Sequence, residues 1–353
     1  MNEQTASPTL AQHGALVLPA VTVEGYNAEI RDGRDSFVGD RANDRAFRDI
    51  IEDLRSRLRE VDEDPLGDAG PDLGKKKLDK ALEKGSLEAK GVIQAAIEAF
   101  SEEFAAVIRR FLELDAWRGT ERIVVGGGMS WSRVGELVVA RTAVALKTAG
   151  INIGFSRIRH PSDEAGLVGA VQLTPAWTLE GFDGILAVDI GGTKMRTGVI
   201  RLNLDEEPDF AAACVWKYEV WRHADESPSR DETVARLTDM LRNLVRKAEK
   251  QKLKLAPFIG IGCPGMIRED GCIERGAQNL PGNWETDGFN LPQRIRDALP
   301  SVGGHAVTVV MHNDAVVQGL SEVPFLREVG RWGIMTIGTG LGNAVFTNRP
   351  AKG

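Results

Sequence analysis

The chain is 353 residues long, enough for about two domains on a prior of roughly 100–200 residues each. With 42% hydrophobic and 27% charged residues it has the makings of ordinary packed cores, and its net charge of −7 argues against a general nucleic-acid or anionic-membrane surface.

Residues 1–14 read as a disordered arm, and residues 15–24 as a strand broken by Pro19. A helix is predicted over residues 41–61, where Phe47, Ile50, Ile51, Leu54 and Leu58 recur at helical spacing between charged positions. The acid-, Gly- and Pro-rich residues 62–74 predict a surface loop, and the lysine run at 75–77 a solvated stretch. One apolar stripe from Val92 to Phe111 marks residues 86–114 as a long core helix. Residues 122–125 read as a strand entering the glycine turn 126–130, followed by a helix over 133–148, a strand over 151–157 and a small-residue helix over 163–173 suited to close packing. Beyond a junction at 175–184, strands are predicted at 185–189, 196–203, 213–221 and 257–263, with a helix over 230–249. A buried strand at 307–311 leads to a helix start at 315–322, and residues 333–337 with 343–348 form a hairpin.

Two glycine-rich turns stand out, Asp189-Ile-Gly-Gly-Thr-Lys-Met-Arg196 and Gly338-Thr-Gly-Leu-Gly342, each entered from a β-type run. Glycine is expected there for positive φ and for close approach of backbone N–H groups to phosphate oxygens, with Thr193 and Thr339 adding hydroxyl donors, so the pair is expected to clamp a nucleotide. Asn313 and Asp314 stand where an apolar strand ends and a helix begins. They can serve as a helix N-cap, or Asp314 can accept a proton from a substrate hydroxyl while Asn313 fixes a neighbouring one. The loop Gln278-Asn-Leu-Pro-Gly-Asn-Trp284 suits a polyhydroxylated ligand through amide hydrogen bonds and ring stacking. Gly260 to Gly265 matches G-x-G-x-x-G, yet Pro264 and the absence of a following helical pattern exclude a dinucleotide site. Cys214, Cys263 and Cys272 lack ligand spacing, and the five histidines show no paired metal spacing. No secretory leader or membrane span is apparent, so a cytoplasmic protein is expected.

The set of motifs resembles the bacterial ROK sugar kinases and glucokinases of the actin-like ATPase superfamily. Asp189 to Arg196 resembles the first phosphate motif, Gly260 to Gly265 the strand-to-loop segment, Asn279-Leu-Pro-Gly the sugar loop, Asn313-Asp314 the substrate and base pair, and Gly338 to Gly342 the second phosphate motif. Residues 123–128 and 164–170 resemble the adenosine motif and the final family helix. The resemblance implies an α/β, two-domain, actin-like (ribonuclease H-like) ATPase fold with mixed sheets. The motif order is permuted, since the adenosine motif precedes the first phosphate motif, and this looks like a circular permutation. Residues 1–180 with 331–353 are then expected to form a larger domain carrying the adenosine motif and second phosphate turn. Residues 181–330 are expected to form a smaller one carrying the first turn, the sugar loop and Asp314.

By that resemblance the protein is an ATP-dependent kinase of a hexose-type sugar, glucokinase-like, with Asp314 as base and Asn279 and Asn313 orienting the sugar. Gly191, Gly192, Thr193, Lys194, Gly338, Thr339 and Gly340 cradle phosphate, Gly126, Gly127 and Gly128 leave room for adenosine, and Asp189 holds Mg²⁺ through water. Sugar and nucleotide are the implied partners, with neither nucleic acid nor membrane, and a homodimer is left open. The family's E-x-G-H sugar motif and zinc-binding cysteines do not follow the second turn. No zinc is therefore expected, and Glu24, Glu29 and His13 are left as candidates without a motif. The missing motif also keeps alternatives open: a non-catalytic sugar or nucleotide sensor, or an actin- or chaperone-like ATPase. A repressor would call for a helix-turn-helix pattern, which does not precede the fold.

Overall fold

The computed structural model describes residues 12–33, 35–67, 73–286 and 288–350. In chain order the first elements are β1 (Val21–Tyr26), α1 (Asp44–Arg59), α2 (Lys75–Lys84), α3 (Leu87–Leu112), β2 (Arg122–Gly126), α4 (Arg133–Thr148) and β3 (Gly154–Arg157). There follow α5 (Ala165–Gly169), β4 (Gly184–Ile190), β5 (Met195–Arg201), β6 (Cys214–Trp221), α6 (Arg230–Lys250) and β7 (Leu255–Cys263). Short strands β8 (Met266–Ile267) and β9 (Ile273–Arg275) precede α7 (Leu291–Ala298), β10 (Ser301–Val302) and β11 (His305–Ala306). The chain closes with β12 (Thr308–Asn313), α8 (Asp314–Leu320), β13 (Arg331–Ile337) and β14 (Leu341–Asn348).

Contacts divide the chain into two compact units. The first takes the described parts of Met1–Asn27, Asp163–Glu328 and Phe346–Gly353, and the second takes Ala28–Ser162 with Val329–Val345. This differs from the expected boundaries, because residues 12–27, 163–180 and 346–350 pack with the first unit. The reason is visible at α5, whose small residues let backbones touch. A side chain at Gly169 would run into the carbonyl of Val317 on α8, and one at Gly166 would come within 2.5 Å of the Asp189 carboxylate.

The first unit is built on a mixed sheet of order β12-β7-β4-β5-β6. β4 runs antiparallel to β5 and β5 to β6, whereas β7 lies parallel to β4 on its other side and to β12. Every residue of β4 is buried, as a central strand requires. α6 provides the crossover to the parallel strand β7, and its start carries a capping box in which Ser229 and Glu232 satisfy each other's backbone N–H groups. The core packs Leu237, Leu241 and Leu244 of α6 with Ile259 and Ile261 of β7.

In the second unit the order β14-β13-β2-β3 continues the same logic, with β13 parallel to β2 and β2 to β3. The last residues of β14 belong to the first unit, where β1 lies beside them. α3 and α4 pack against this sheet, and the predicted stripe of α3 is buried from Val92 to Phe111. Ser86 caps α3 by accepting from the Ala89 N–H at 3.1 Å. α1 starts three residues later than predicted because a 3₁₀ turn over Val38–Ala42 comes first and Asn43 is the N-cap. Within residues 62–74, positions 68–72 lie outside the described residues. The part before them folds back on α1, where buried Arg55 bonds Asp64 at 2.8 Å and the Gly67 carbonyl at 3.1 Å.

Two helices were not legible. α2 occupies the lysine run expected to be solvated, anchored by buried Leu78, and α7 is a short helix capped by Asn290. Residues 1–11 of the expected arm lie outside the described residues, and Gly14 is not part of a free arm, since it bonds the backbone of Met311. Among the described residues no helix is long and apolar enough to cross a membrane.

Candidate functional site

Asp189 and Asp314 are placed by neighbouring strands of the first unit. Asp189 is the penultimate residue of β4, level with Gly262 of β7, and Asp314 opens α8 immediately after β12, whose His312 is level with that same Gly262. Both carboxylates thus stand at the carboxyl ends of parallel strands, where open α/β sheets bind ligands.

Asp189 is buried, and its Oδ2 accepts from Arg196 Nη1 at 2.9 Å; Arg196 stands opposite it on β5 and also bonds Asp163 Oδ1 through Nε at 3.0 Å. Burial pushes the Asp189 carboxyl up, and the Arg196 guanidinium pulls it back. Among the described residues Asp314 has no such cation. Burial and the nearby Asp189 charge hold its carboxyl up at about 7. A carboxyl poised there is half ionised at neutral pH and strong enough as a base to take a hydroxyl proton.

The first glycine turn joins β4 to β5. The Gly191 N–H donates to the Lys194 carbonyl at 2.9 Å, and the turn is steadied by His223, whose Nε2 donates to the Gly191 carbonyl at 2.8 Å. The Thr193 carbonyl accepts from the Ala224 N–H. In the second unit, the Gly338 N–H donates to the Gly340 carbonyl at 3.0 Å, and the Asp44 N–H at the start of α1 donates to the Gly338 carbonyl at 2.9 Å. β13 and β2 are parallel, with Thr336 level with Gly126, so the turns at 338–340 and 126–128 stand side by side at the same sheet edge.

The expectation that glycine in these turns adopts positive φ needs correction. Gly191, Gly192, Gly338 and Gly340 are not among the glycines at positive φ. A side chain at Gly340 would meet nothing within 4 Å, so glycine there keeps space open rather than relieving backbone strain. Gly127 is the position that needs glycine: its φ is +81°, and a Cβ would run into the Ile337 backbone.

Sequence reasoning missed Lys75. Its ammonium lies against Gly128 and 3.7 Å from the Asp44 carboxylate, whose Oδ1 is buried without a hydrogen-bond partner among the described residues. A lysine run in a charged segment carries no signal for this; the tertiary fold supplies it.

Asn313 is buried and serves as the N-cap, its Oδ1 accepting from Ala315 at 3.0 Å and Val316 at 3.2 Å, while Nδ2 donates to the Gly265 carbonyl at 3.1 Å. Asn279 is exposed on its loop. Trp284, expected to offer a stacking ring, is instead buried. Its Nε1 donates to the Pro281 carbonyl at 2.7 Å and its ring meets Phe289 edge-on, so it anchors the loop to the core. Cys263 and Cys272 are buried free thiols, and Cys214 is exposed. Among the described residues no cluster of three or more His, Cys, Asp or Glu could hold a metal ion.

Together the fold and these turns define an α/β protein with mixed sheets and glycine turns at strand ends. Residues 185–353 match the sequence model of the ROK family, and that stretch includes both glycine turns, the 278–284 loop and Asn313-Asp314. No curated protein matches. Among solved structures, the Lmo2764 protein of Listeria monocytogenes is similar at 23% identity and a TM-score of 0.34, over 47% of each chain. A ROK hexokinase from Thermus thermophilus is similar at 21% identity and a TM-score of 0.31, over 46% of each chain. An exopolyphosphatase from Cytophaga hutchinsonii is similar at 13% identity and a TM-score of 0.23, over 51% of this chain and 52% of its own. The chain thus spans about half the length of the solved structures it matches.

Proposed function

We propose that the protein transfers the γ-phosphoryl group of ATP to a hydroxyl of a hexose-type sugar, with glucose a leading acceptor. The observation that carries this reading is the pair Asp189 and Asp314 at strand ends of one sheet: Asp189 beside a phosphate-type turn, Asp314 held near neutrality with no cation of its own among the described residues. Asp314 takes the proton of the attacking hydroxyl, and Asn279 and Asn313 orient the sugar. Gly191, Gly192, Thr193 and Lys194 offer phosphate contacts in the first unit. In the second, Gly338, Thr339 and Gly340 do the same, with Gly126, Gly127 and Gly128 beside them for the adenosine. Alignment and charge complementarity supply most of the rate in such a transfer.

The donor set at Asp189 fits Mg²⁺, which in nucleotide sites takes one or two carboxylates and is otherwise held by phosphates and water. Asp189 is the carboxylate that would hold it through water, and the ion would neutralise phosphate charge. The motif order is read as a circular permutation. In support, β13, β14, β1, β2 and β3, counted in that order, repeat the sheet arrangement that β4, β5, β6, β7 and β12 make in the first unit.

Coupled ADP release over a panel of hexoses and N-acetylhexosamines, run beside Asp314→Asn, tests the reading. Sugar-dependent turnover lost in the variant supports it. Calorimetric sugar binding with no turnover in either protein overturns it in favour of a sensor.

A further inference from the structure

Residues 13–26 are folded onto the strand that leads to Asp314, and one side chain connects the two. β12 is an edge strand of its sheet. The Gly14 N–H donates to the Met311 carbonyl at 3.0 Å, and the Met311 N–H donates to Nδ1 of His13 at 3.1 Å, so this segment closes that edge. The chain then doubles back, with Val17 bridged to Thr22 and the Leu18 N–H donating to the Val21 carbonyl, and reaches Tyr26. The Tyr26 hydroxyl donates to the Ile267 carbonyl and accepts from the Ile267 N–H, at 3.4 and 3.3 Å.

His312 joins these parts. It is completely buried, with the Tyr26 ring edge-on at 5.1 Å between centroids. Its Nε2 donates to the Ala15 carbonyl at 3.1 Å, and its Nδ1 accepts from the Asn313 N–H at 2.7 Å. The two bonds assign the neutral ring with its proton on Nε2. Burial keeps the ring neutral, so it serves as a two-ended strut rather than a proton carrier. The Asn313 N–H is the point where β12 turns into α8. With its amide held by His312, its Oδ1 capping α8 and its Nδ2 on Gly265, this corner is fixed from three sides.

We propose that His312, braced by residues 13–26, is a positioning residue. Through the Asn313 amide it sets the β12–α8 corner so that Asp314 meets the acceptor hydroxyl. The inference rests on Asp314 being the base of the proposed reaction. It assigns to the N-terminal segment a role in alignment, transmitted by one imidazole.

Three variants separate the two ends of the strut. His312→Phe keeps a planar aromatic ring, a larger one, and makes neither bond, His312→Asn restores an acceptor near Nδ1, and His312→Gln restores a donor near Nε2. Steady-state kinetics and hydrogen exchange over residues 308–320 are measured on each full-length protein, with thermal melts to set the folded fraction. His312→Phe is expected to lower kcat on the order of 10²-fold, as a misplaced reacting group does. The KM for nucleotide should hold, and exchange at the Asn313 amide should speed up. His312→Asn should recover most of kcat and of the protection, and His312→Gln should not. Equal recovery by Asn and Gln, an unchanged kcat in Phe, or a loss that only follows the folded fraction would overturn the proposal. If the wild-type protein turns over no sugar, the kinase reading fails by itself. Exchange at residues 308–320 still decides whether His312 holds the corner.

Discussion

Replacing Asp314 with Asn should stabilise the protein at alkaline pH while abolishing its activity. Inside the fold its carboxyl is held at about 7 instead of 3.8, chiefly by burial and then by the Asp189 charge. The folded state therefore keeps a proton that the unfolded chain gives up. Below pH 4 both states are protonated and nothing is lost. Between about 4 and 7 stability falls with rising pH, and above 7 the loss is complete. At about 1.36 kcal/mol per pH unit, moving a carboxyl from 3.8 to about 7 corresponds to about 4 kcal/mol. The Asn variant stays neutral at every pH, so it should recover this loss, a gain of about 4 kcal/mol at pH 8. Urea unfolding of both proteins at pH 4.5, 6 and 8 reads the difference directly. A variant less stable than the wild type at pH 8, or a difference that does not change with pH, would refute the reasoning.

Other substitutions test the parts separately. Gly127→Ala should lower the urea midpoint markedly, because φ is +81° and the Cβ meets the Ile337 backbone. Gly340→Ala should stay within about 0.5 kcal/mol of wild type and weaken nucleotide binding measured by calorimetry. Arg196→Met leaves Asp189 buried without its guanidinium and should cost about 3–5 kcal/mol in denaturant unfolding, as removing one partner of a buried pair does. Lys75→Met should reduce ATP affinity by about 1.5–3 kcal/mol in calorimetry, the range for a hydrogen bond to a charged group, with little effect on sugar binding.

Much of the frame was readable because its signals are local. The α3 stripe and the buried run of β4 each declare their element within one window of sequence. The glycine turns and Asn313-Asp314 were legible as strand-end features, and the structure places them at strand ends. What could not be read depended on distant partners. Trp284 looks like a ligand-stacking ring until Pro281 and Phe289 are seen to hold it in the core. Lys75 looks solvated until α2 brings it to Gly128. His312 gives no sign in sequence that its two ring nitrogens join Ala15 to Asn313, almost the whole chain length apart.

The central claim, that Asp314 takes the proton of a sugar hydroxyl during transfer from ATP, is tested most directly by the pH dependence of sugar-dependent ADP release. The account predicts that kcat/KM rises with pH through an apparent value near 7, and that Asp314→Asn removes turnover while still binding sugar. Turnover in Asp314→Asn with the wild-type pH profile would contradict it.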